Sequence, residues 1–398
     1  MKPNNDIYDI VVLGGGLVGL TVVNLLAKQG LKVGLLEKNP PNFASEGVKE
    51  DIRFSAISPG SIEVFQTIGV WESIIEGGVS AYEKMVVWDA VGFGEISFDA
   101  GEVNAPNLGV IIQNKIIIQA LWEKAKERSE VHFILGKTPC HVIVEKDAVC
   151  VQMNDNETVK AKCLVGADGA ESWLRTYLKF ETTIVDYEQQ ALVATVETAL
   201  PHCQTAWQRF LPEGALAFLP LKETNESSIV WSTTPKEAER LMALTAGDFC
   251  EILTHQFDNR LGQVLKSSTR YTFPLKKIRV KNPVKHRVGL IGDAAHVVHP
   301  LAGQGVNLGL IDAKLLAETI SKASETGIDI GDFLVLRRYE RSARGKVSSM
   351  MMGLDFLKYF FSSKSTAAIG LRSIALNYLN KSKGLKKQVM WQAMGRGD

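Results

Sequence analysis

Residues 7–38 read IYDIVVLGGGLVGLTVVNLLAKQGLKVGLLEK, and this stretch decides the fold. Its apolar run Ile7–Leu13 predicts a buried strand, the spacing over Leu17–Gln29 a helix stopped by Gly30, and Val33–Glu37 a second strand. Between the first strand and the helix lies Gly14-x-Gly16-x-x-Gly19, with Glu37 closing the second strand. Gly14 permits the tight turn, Gly16 lets backbone approach a pyrophosphate, and Gly19 lets helix and strand pack closely. The helix N-terminus offers oriented N–H donors to the anion, and Glu37 can accept from a ribose hydroxyl. A βαβ dinucleotide unit therefore opens the chain, and on this motif alone FAD and NAD fit equally.

The remaining bulk properties narrow the class. The chain has 398 residues, enough for one large domain or two interleaved ones with a buried pocket. A hydrophobic share of 45% against 22% charged residues excludes disorder and fibrous architectures. A net charge of +1 gives no global case for nucleic acid as a partner. The five cysteines include no C-x-x-C pair and read as reduced thiols of a cytoplasmic protein. Val11–Leu26 is nearly all apolar, but Asp6 and Asp9 and its short length argue against a signal peptide or a membrane span.

Further on, Pro59–Ile68 and Trp71–Ile75 carry helical spacing, Tyr82–Ala100 reads as a hairpin, and Lys115–Lys126 as an amphipathic helix. Cys163–Ala167 is a strand running into Val165-Gly166-Ala167-Asp168-Gly169-Ala170, with Ser172 and Arg175 following. Taken alone, that motif reads best as a helix N-cap, Asp168 or Ser172 accepting first-turn N–H groups. Residues 189–272 are strand-rich and predict a sheet that covers a pocket. Arg287–Gly292 is a strand, Gln304–Ile320 a helix, and the tail beyond Asp332 helical. The third motif, Gly292-Asp293-Ala294-Ala295-His296 followed by Pro300, Gly303-Gln304-Gly305, Asn307, Gly309 and Asp312, is the most specific. It sets Asp293 to hydrogen-bond a ligand polyol, and the loop Gly303–Gly305 to present backbone N–H groups to a ring at the ligand's far end.

These three motifs, in this order and spacing, resemble the flavoprotein aromatic hydroxylases. Asp51-Ile52-Arg53-Phe54-Ser55-Ala56-Ile57, Gly292–Gly309 and Ala393-Met394-Gly395 are most similar to the ubiquinone-biosynthesis hydroxylases. Within them, segments such as Gln190-Ala191-Leu192-Val193-Ala194-Thr195 and Phe257-Asp258-Asn259-Arg260-Leu261-Gly262 look most like 2-polyprenylphenol hydroxylase. The sequence departs from that pattern at Gln113, where an acidic residue is expected before Asn114, and in stopping slightly early at Asp398.

The resemblance implies an α/β fold: a Rossmann-like FAD-binding domain of the para-hydroxybenzoate hydroxylase type, interleaved with a β-sheet substrate domain and followed by C-terminal helices. Residues 1–75, 101–182 and 270–345 are assigned to the FAD-binding domain, 76–100 and 183–269 to the substrate domain, and 346–398 to the helical segment. It implies bound FAD, transient NADPH or NADH, and O2, with a flavin C4a-hydroperoxide hydroxylating the ring of a polyprenylphenol. The implied cofactor residues are Gly14, Gly16, Gly19, Glu37, Arg53, Asn114, Asp168, Gly169, Gly292, Asp293, Gly303, Gln304, Gly305 and Asn307. Pro300, Gly303 and Arg53 form the implied catalytic set, Arg53 lying close to the flavin, where a fixed cation balances its charge; a surface salt bridge is its other reading.

The reaction demands a dry apolar pocket. Phe218-Leu219-Pro220 and Phe273-Pro274 are its expected walls, opposite the loop His299–Gly303, although such runs also suit core strand ends. His296 and His299 fall near Asp293 but imply no metal; deprotonation of the phenol is a further role open to either. The tail Phe356–Met394 mixes aromatics with lysines and suits either an anionic bilayer surface or a helical layer on the FAD domain. Expected partners are the polyprenylphenol, a membrane surface and a ubiquinone-biosynthesis protein assembly, at the inner face of the cytoplasmic membrane, and self-association is compatible with the sequence. The competing readings are a halogenase or isoprenoid reductase on the same scaffold, and a flavin-free lipid carrier.

Overall fold

The computed structural model describes residues 7–43, 53–299, 305–362 and 365–396. β1 (Tyr8–Leu13) buries Ile10, Val11 and Val12 completely, because it is covered on both faces and can spare no polar side. It pairs in parallel with β2 (Val33–Glu37) and β11 (Thr158–Gly166). β8 (Val131–Leu135) lies beyond β2, and β19 (Val288–Leu290) beyond β11, both parallel. β18 (Val284–Lys285) closes that edge, and the hairpin of β9 (Pro139–Val144) and β10 (Val149–Met153) is added antiparallel to β11.

One face of this sheet carries α1 (Leu17–Lys28), α2 (Pro59–Ile68), α3 (Trp71–Gly77), α4 (Asn114–Lys126) and α8 (Gly305–Glu325) in a single apolar core. The other face packs on the short α5 (Trp173–Tyr177) and on the β9–β10 hairpin. α2 forms where its sequence starts and stops it: Ser58 caps it, Pro59 suits the first turn, and Gly69 ends it in a left-handed conformation.

The second sheet is built around β12 (Thr182–Thr198), flanked by β17 (Tyr271–Val280) and β15 (Glu226–Thr233). It continues through β14 (Gly214–Pro220), β13 (Thr205–Leu211), β5 (Lys84–Asp89) and the edge strand β6 (Glu95–Asp99), with β16 (Val264–Ser267) and β20 (His296–Val297) at its other margin. The hairpin read at 82–100 is thus β5–β6. Two findings differ from expectation. β17 hydrogen-bonds to β12 along its length, so the boundary drawn at 270 falls just ahead of a strand of this second sheet. The strand-rich region also contains two helices, α6 (Pro235–Ala243) and α7 (Ala246–Gln256), which cover one face of the sheet.

The opposite face meets the small sheet of β3 (Phe54–Ile57), β7 (Gly109–Gln113) and β4 (Ser80–Tyr82) through Leu219 and Leu221. Nearer β6 it is covered by α9 (Phe333–Ser362) and α10 (Thr366–Lys381), where Phe361 stacks on Phe210 with ring centroids 3.6 Å apart. α10 also serves the edge strand. Ser373, Asn377 and Asn380 accept hydrogen bonds from the backbone N–H groups of Phe93, Glu95 and Ser97, so the open edge is capped by side chains instead of another strand. The fully buried Arg372 reaches Asp89 at 2.7 Å and the carbonyls of Phe360 and Phe361. α11 (Lys383–Ala393) follows, its Lys386 paired with Glu102 at 2.6 Å. The first half of α9 packs in the core of the first sheet through Val335, Leu336, Tyr339 and Ala343, whereas α10 and α11 pack chiefly on the second sheet and return to the first unit at their end, Met394 O accepting from Gly60 N.

Candidate functional site

The parallel strands β1, β11 and β19 end in register, Leu13 beside Gly166 and Gly166 beside Leu290. Gly14, Ala167 and Gly292 therefore line one crevice at the carboxyl edge of the sheet, where doubly wound sheets hold their ligands. Gly14 has φ +104°, and a Cβ there would lie 2.4 Å from the Ala167 carbonyl oxygen. A Cβ at Gly19 would lie 1.9 Å from the Gly14 carbonyl oxygen, so helix and loop approach as closely as the motif requires.

Gly16 behaves differently. Nothing lies within 4 Å of the position its Cβ would take, no side chain caps α1, and no acidic residue stands in its first turn. The helix dipole and its first N–H groups face space, an arrangement that fits a pyrophosphate. Glu37 braces the loop, its carboxylate accepting from Gly15 N at 2.5 Å and Asn39 N at 2.7 Å. Each oxygen keeps a second lone pair for a ribose hydroxyl.

At the other end of the crevice, Asp312 is almost wholly buried and accepts from Gly292 N at 3.0 Å and from His296 Nε2 at 2.6 Å. Burial alone would lower the His296 pKa; the Asp312 carboxylate, and more weakly Asp293, hold it above its ordinary 6.5. This pair fixes the turn that presents Asp293, whose own carboxyl is pushed up by burial and partly relieved by His296. Sequence reading named Asp312 in the motif without giving it a role; its place one helical face below Gly309 was the available signal.

Asn307 was expected against the cofactor, but its amide is committed elsewhere. It donates to Ala56 O at 2.8 Å and accepts from Ser58 N at 2.9 Å while buried. Its role is to tie the start of α8 to the segment following Arg53. Arg53 is exposed beside Asn114, whose backbone N donates to Arg53 O at 2.9 Å and whose Oδ1 accepts from Ser55 Oγ at 2.7 Å. Asn307 therefore brings the third motif and the Arg53–Asn114 pair to the same end of the crevice.

Asp168 acts as the helix cap its sequence context suggested. It accepts from Leu174 N at 3.1 Å and Ser172 Oγ at 2.6 Å, while Ser172 accepts from Arg175 N. Gly169 follows in a left-handed turn with nothing near its absent Cβ. Gly305 opens α8; Pro300, Gly303 and Gln304 lie outside the described residues.

The expected pocket residues divide by strand alternation. Phe218 points into the core under α6 and α7 and stacks on Phe257, so it does not face the cofactor edge. Pro220 and Pro274 share its side of the sheet by register, whereas Leu219 and Phe273 take the opposite side, the one on which Leu219 meets the β3–β7–β4 sheet. Neighbours on that side, Ala191, Val193, Ala217 and Val230, carry no charge.

His299 is buried at the rim of this face. Its Nε2 lies 3.2 Å from Gln189 Oε1, while Gln189 Nε2 donates to Glu213 O at 2.6 Å. With the amide so oriented, Nε2 carries the histidine proton and Nδ1 is the basic atom of the neutral ring. Tyr187 packs edge-on at 5.0 Å, its hydroxyl pushed up to about 12 by burial and by Asp355. Among the described residues no three metal-ligating side chains converge, and no helix is long and apolar enough to cross a membrane.

Comparison with known proteins agrees with this geometry. Residues 7–345 match the family described as FAD binding domain. The ubiquinone biosynthesis monooxygenase COQ6 of Danio rerio is 32% identical over 97% of this chain and 89% of its own length. The 3-demethoxyubiquinol 3-hydroxylase of Escherichia coli is 29% identical over 98% and 99%. Among solved structures, PqsL of Pseudomonas aeruginosa superposes with TM-score 0.77 at 20% identity, covering 94% of this chain and all of that one. The p-nitrophenol 4-monooxygenase PnpA of Pseudomonas putida gives 0.79 at 17%, covering 98% of both chains; at these identities the structures attest the fold alone. The chain belongs to the FAD binding domain family and, within it, to the FAD-dependent monooxygenases of ubiquinone biosynthesis.

Proposed function

We propose that the chain hydroxylates the aromatic ring of a polyprenylphenol at the inner face of the cytoplasmic membrane. The observation that carries this reading is the uncharged strip of sheet, Ala191, Val193, Ala217, Leu219, Val230 and Phe273, on the face that also meets the β3–β7–β4 sheet, whose β3 and β7 lead from Arg53 and into Asn114. An apolar ring and tail can lie against it with little polar group to desolvate. Bound FAD supplies the redox chemistry that draws electrons from NAD(P)H and activates dioxygen. The α1 N-terminus holds the pyrophosphate, Glu37 a ribose, Asp293 the polyol, and Arg53 balances charge near the ring. The apolar strip excludes water and orients the phenol. His299, at the rim of that face, is the base offered to the phenol proton.

The test is the visible spectrum of the purified protein, then anaerobic NADPH with a 2-polyprenylphenol or, separately, a demethoxyubiquinol, the substrate in the name of the Escherichia coli relative. Flavin bands that bleach, and a hydroxylated prenylphenol once air is admitted, support the reading; product only from the demethoxyubiquinol overturns the substrate. His299→Gln should lower kcat about a hundredfold with KM kept and remove the histidine limb of the pH profile. An unchanged profile removes His299 from the mechanism.

A further inference from the structure

We infer that the outer face of α10 and α11, together with the tip of the β5–β6 hairpin, is a docking surface for an anionic lipid bilayer. α10 has two opposed stripes. Arg372, Ser373 and Leu376 turn inward, whereas Leu371, Ile374 and Tyr378, spaced i, i+3, i+7, stand in solvent, the last two at 61% and 67% exposure. The hairpin tip adjoins that helix, because Phe93 N donates to Ser373 Oγ at 3.1 Å, yet the Phe93 side chain is 72% exposed. Leu385 and Trp391 are likewise exposed on α11, the helix that follows. Three separate pieces of sequence thus expose large apolar side chains in one region, beyond what scattered surface residues account for.

The charge of the region selects the occupant. Between Phe356 and Gly397 there are eight Lys and Arg and no Asp or Glu, although the whole chain carries a net charge of only +1. Arg372 and Lys386 are spent on Asp89 and Glu102, while Lys381, Lys383 and Lys387 are exposed beside the apolar stripe. Protein interfaces are depleted in lysine, whereas bilayer interfaces combine lysine with Tyr and Trp. The inner side of the same layer closes the second sheet: Phe361 and Leu376 pack on Phe210, Val87 and Ile96. A bilayer on the outer side therefore lies about one helix diameter, roughly 10 Å, from the β13–β5–β6 end of the sheet that carries the apolar strip. This inference rests on the proposed membrane-dissolved substrate only for preferring a bilayer to a soluble apolar ligand.

The test is co-flotation of the FAD-loaded protein with phosphatidylcholine vesicles, with and without phosphatidylglycerol. Lys381→Gln, Lys383→Gln and Lys387→Gln combined should lower partitioning onto the anionic vesicles roughly a hundredfold, about fivefold per charge, with little change on neutral ones. Ile374→Ser with Tyr378→Ser should weaken binding to both. Both variants should keep wild-type flavin content and turnover of a short-chain, water-dispersed phenol, which excludes misfolding. A wild-type protein that does not float, a triple variant that floats undiminished, or patch variants that alter oligomeric state and not flotation overturn the inference. Flotation without hydroxylation of any prenylphenol would refute the proposed substrate and leave the docking surface standing.

Discussion

Replacing Asp312 by Asn tests how the cofactor crevice is held open. Asp312 and His296 are 1% and 7% exposed, and the carboxylate serves both Gly292 N and the imidazole. Asn keeps an acceptor for Gly292 but removes the counter-charge, leaving an imidazolium in a buried site. Breaking a buried pair in this way costs about 3–5 kcal/mol. The pH dependence fixes the sign. Because the folded His296 pKa lies above its ordinary 6.5, the pair's contribution is fully present below 6.5 and is lost as pH rises through the folded value.

The assay is urea unfolding of the apoprotein carrying Asp312→Asn, His296→Gln, or both, at about pH 6 and again near pH 9. The double-mutant cycle should give a coupling of about 2 kcal/mol or more at the lower pH and much less at the higher. Flavin retention should fall in both single variants, since the Gly292 turn presents Asp293. A coupling below about 0.5 kcal/mol that does not vary with pH would refute the argument and leave Asp312 as a simple cap on Gly292.

Other outcomes follow from single contacts. Gly14→Ala forces a Cβ to within 2.4 Å of the Ala167 oxygen at φ +104°, so the purified protein should carry almost no flavin and unfold at least about 2 kcal/mol earlier. Asp293→Asn should separate stability from binding: the side chain is exposed, so the apoprotein should keep its stability while its FAD affinity drops at least tenfold, read by denaturation and by flavin titration. Phe218→Ala should cost about 3–5 kcal/mol with KM nearly kept. Leu219→Ala, on the opposite face, should cost far less stability and raise KM for the prenylphenol.

The contrast between Phe218 and Leu219 also explains where sequence reading stops. The opening β1–α1–β2 unit was legible to within a residue, because strand, turn and helix are set by neighbours in the chain and by glycines with local reasons. β14, Gly-Ala-Leu-Ala-Phe-Leu-Pro, is apolar throughout, since α6 and α7 cover one face and the β3–β7–β4 sheet the other. A strand buried on both sides loses the alternation that would say which residues look where. α6 and α7 did announce themselves, through Thr234 three residues before Glu237 and Thr245 three before Asp248, and both threonines do cap. Short helices set among strands were simply outweighed by the surrounding β-rich text.

Asn307 marks the harder limit. Its partners, Ala56 and Ser58, lie some 250 positions away, and one sequence contains no record of which distant residues meet. Read locally, an Asn in a glycine-rich loop beside a cofactor belongs to the cofactor; folded, it is the bolt that brings that loop to Arg53. The same applies to Arg372, whose position in a lysine-rich tail carries no local sign of burial. Its burial against Asp89 is what lets Ser373, Asn377 and Asn380 line up on the edge strand, and that in turn leaves only the other stripe of α10 for a partner. Motifs therefore disclosed the chemistry of this chain, whereas the long-range pairs decide which of its apolar faces are core and which remain open.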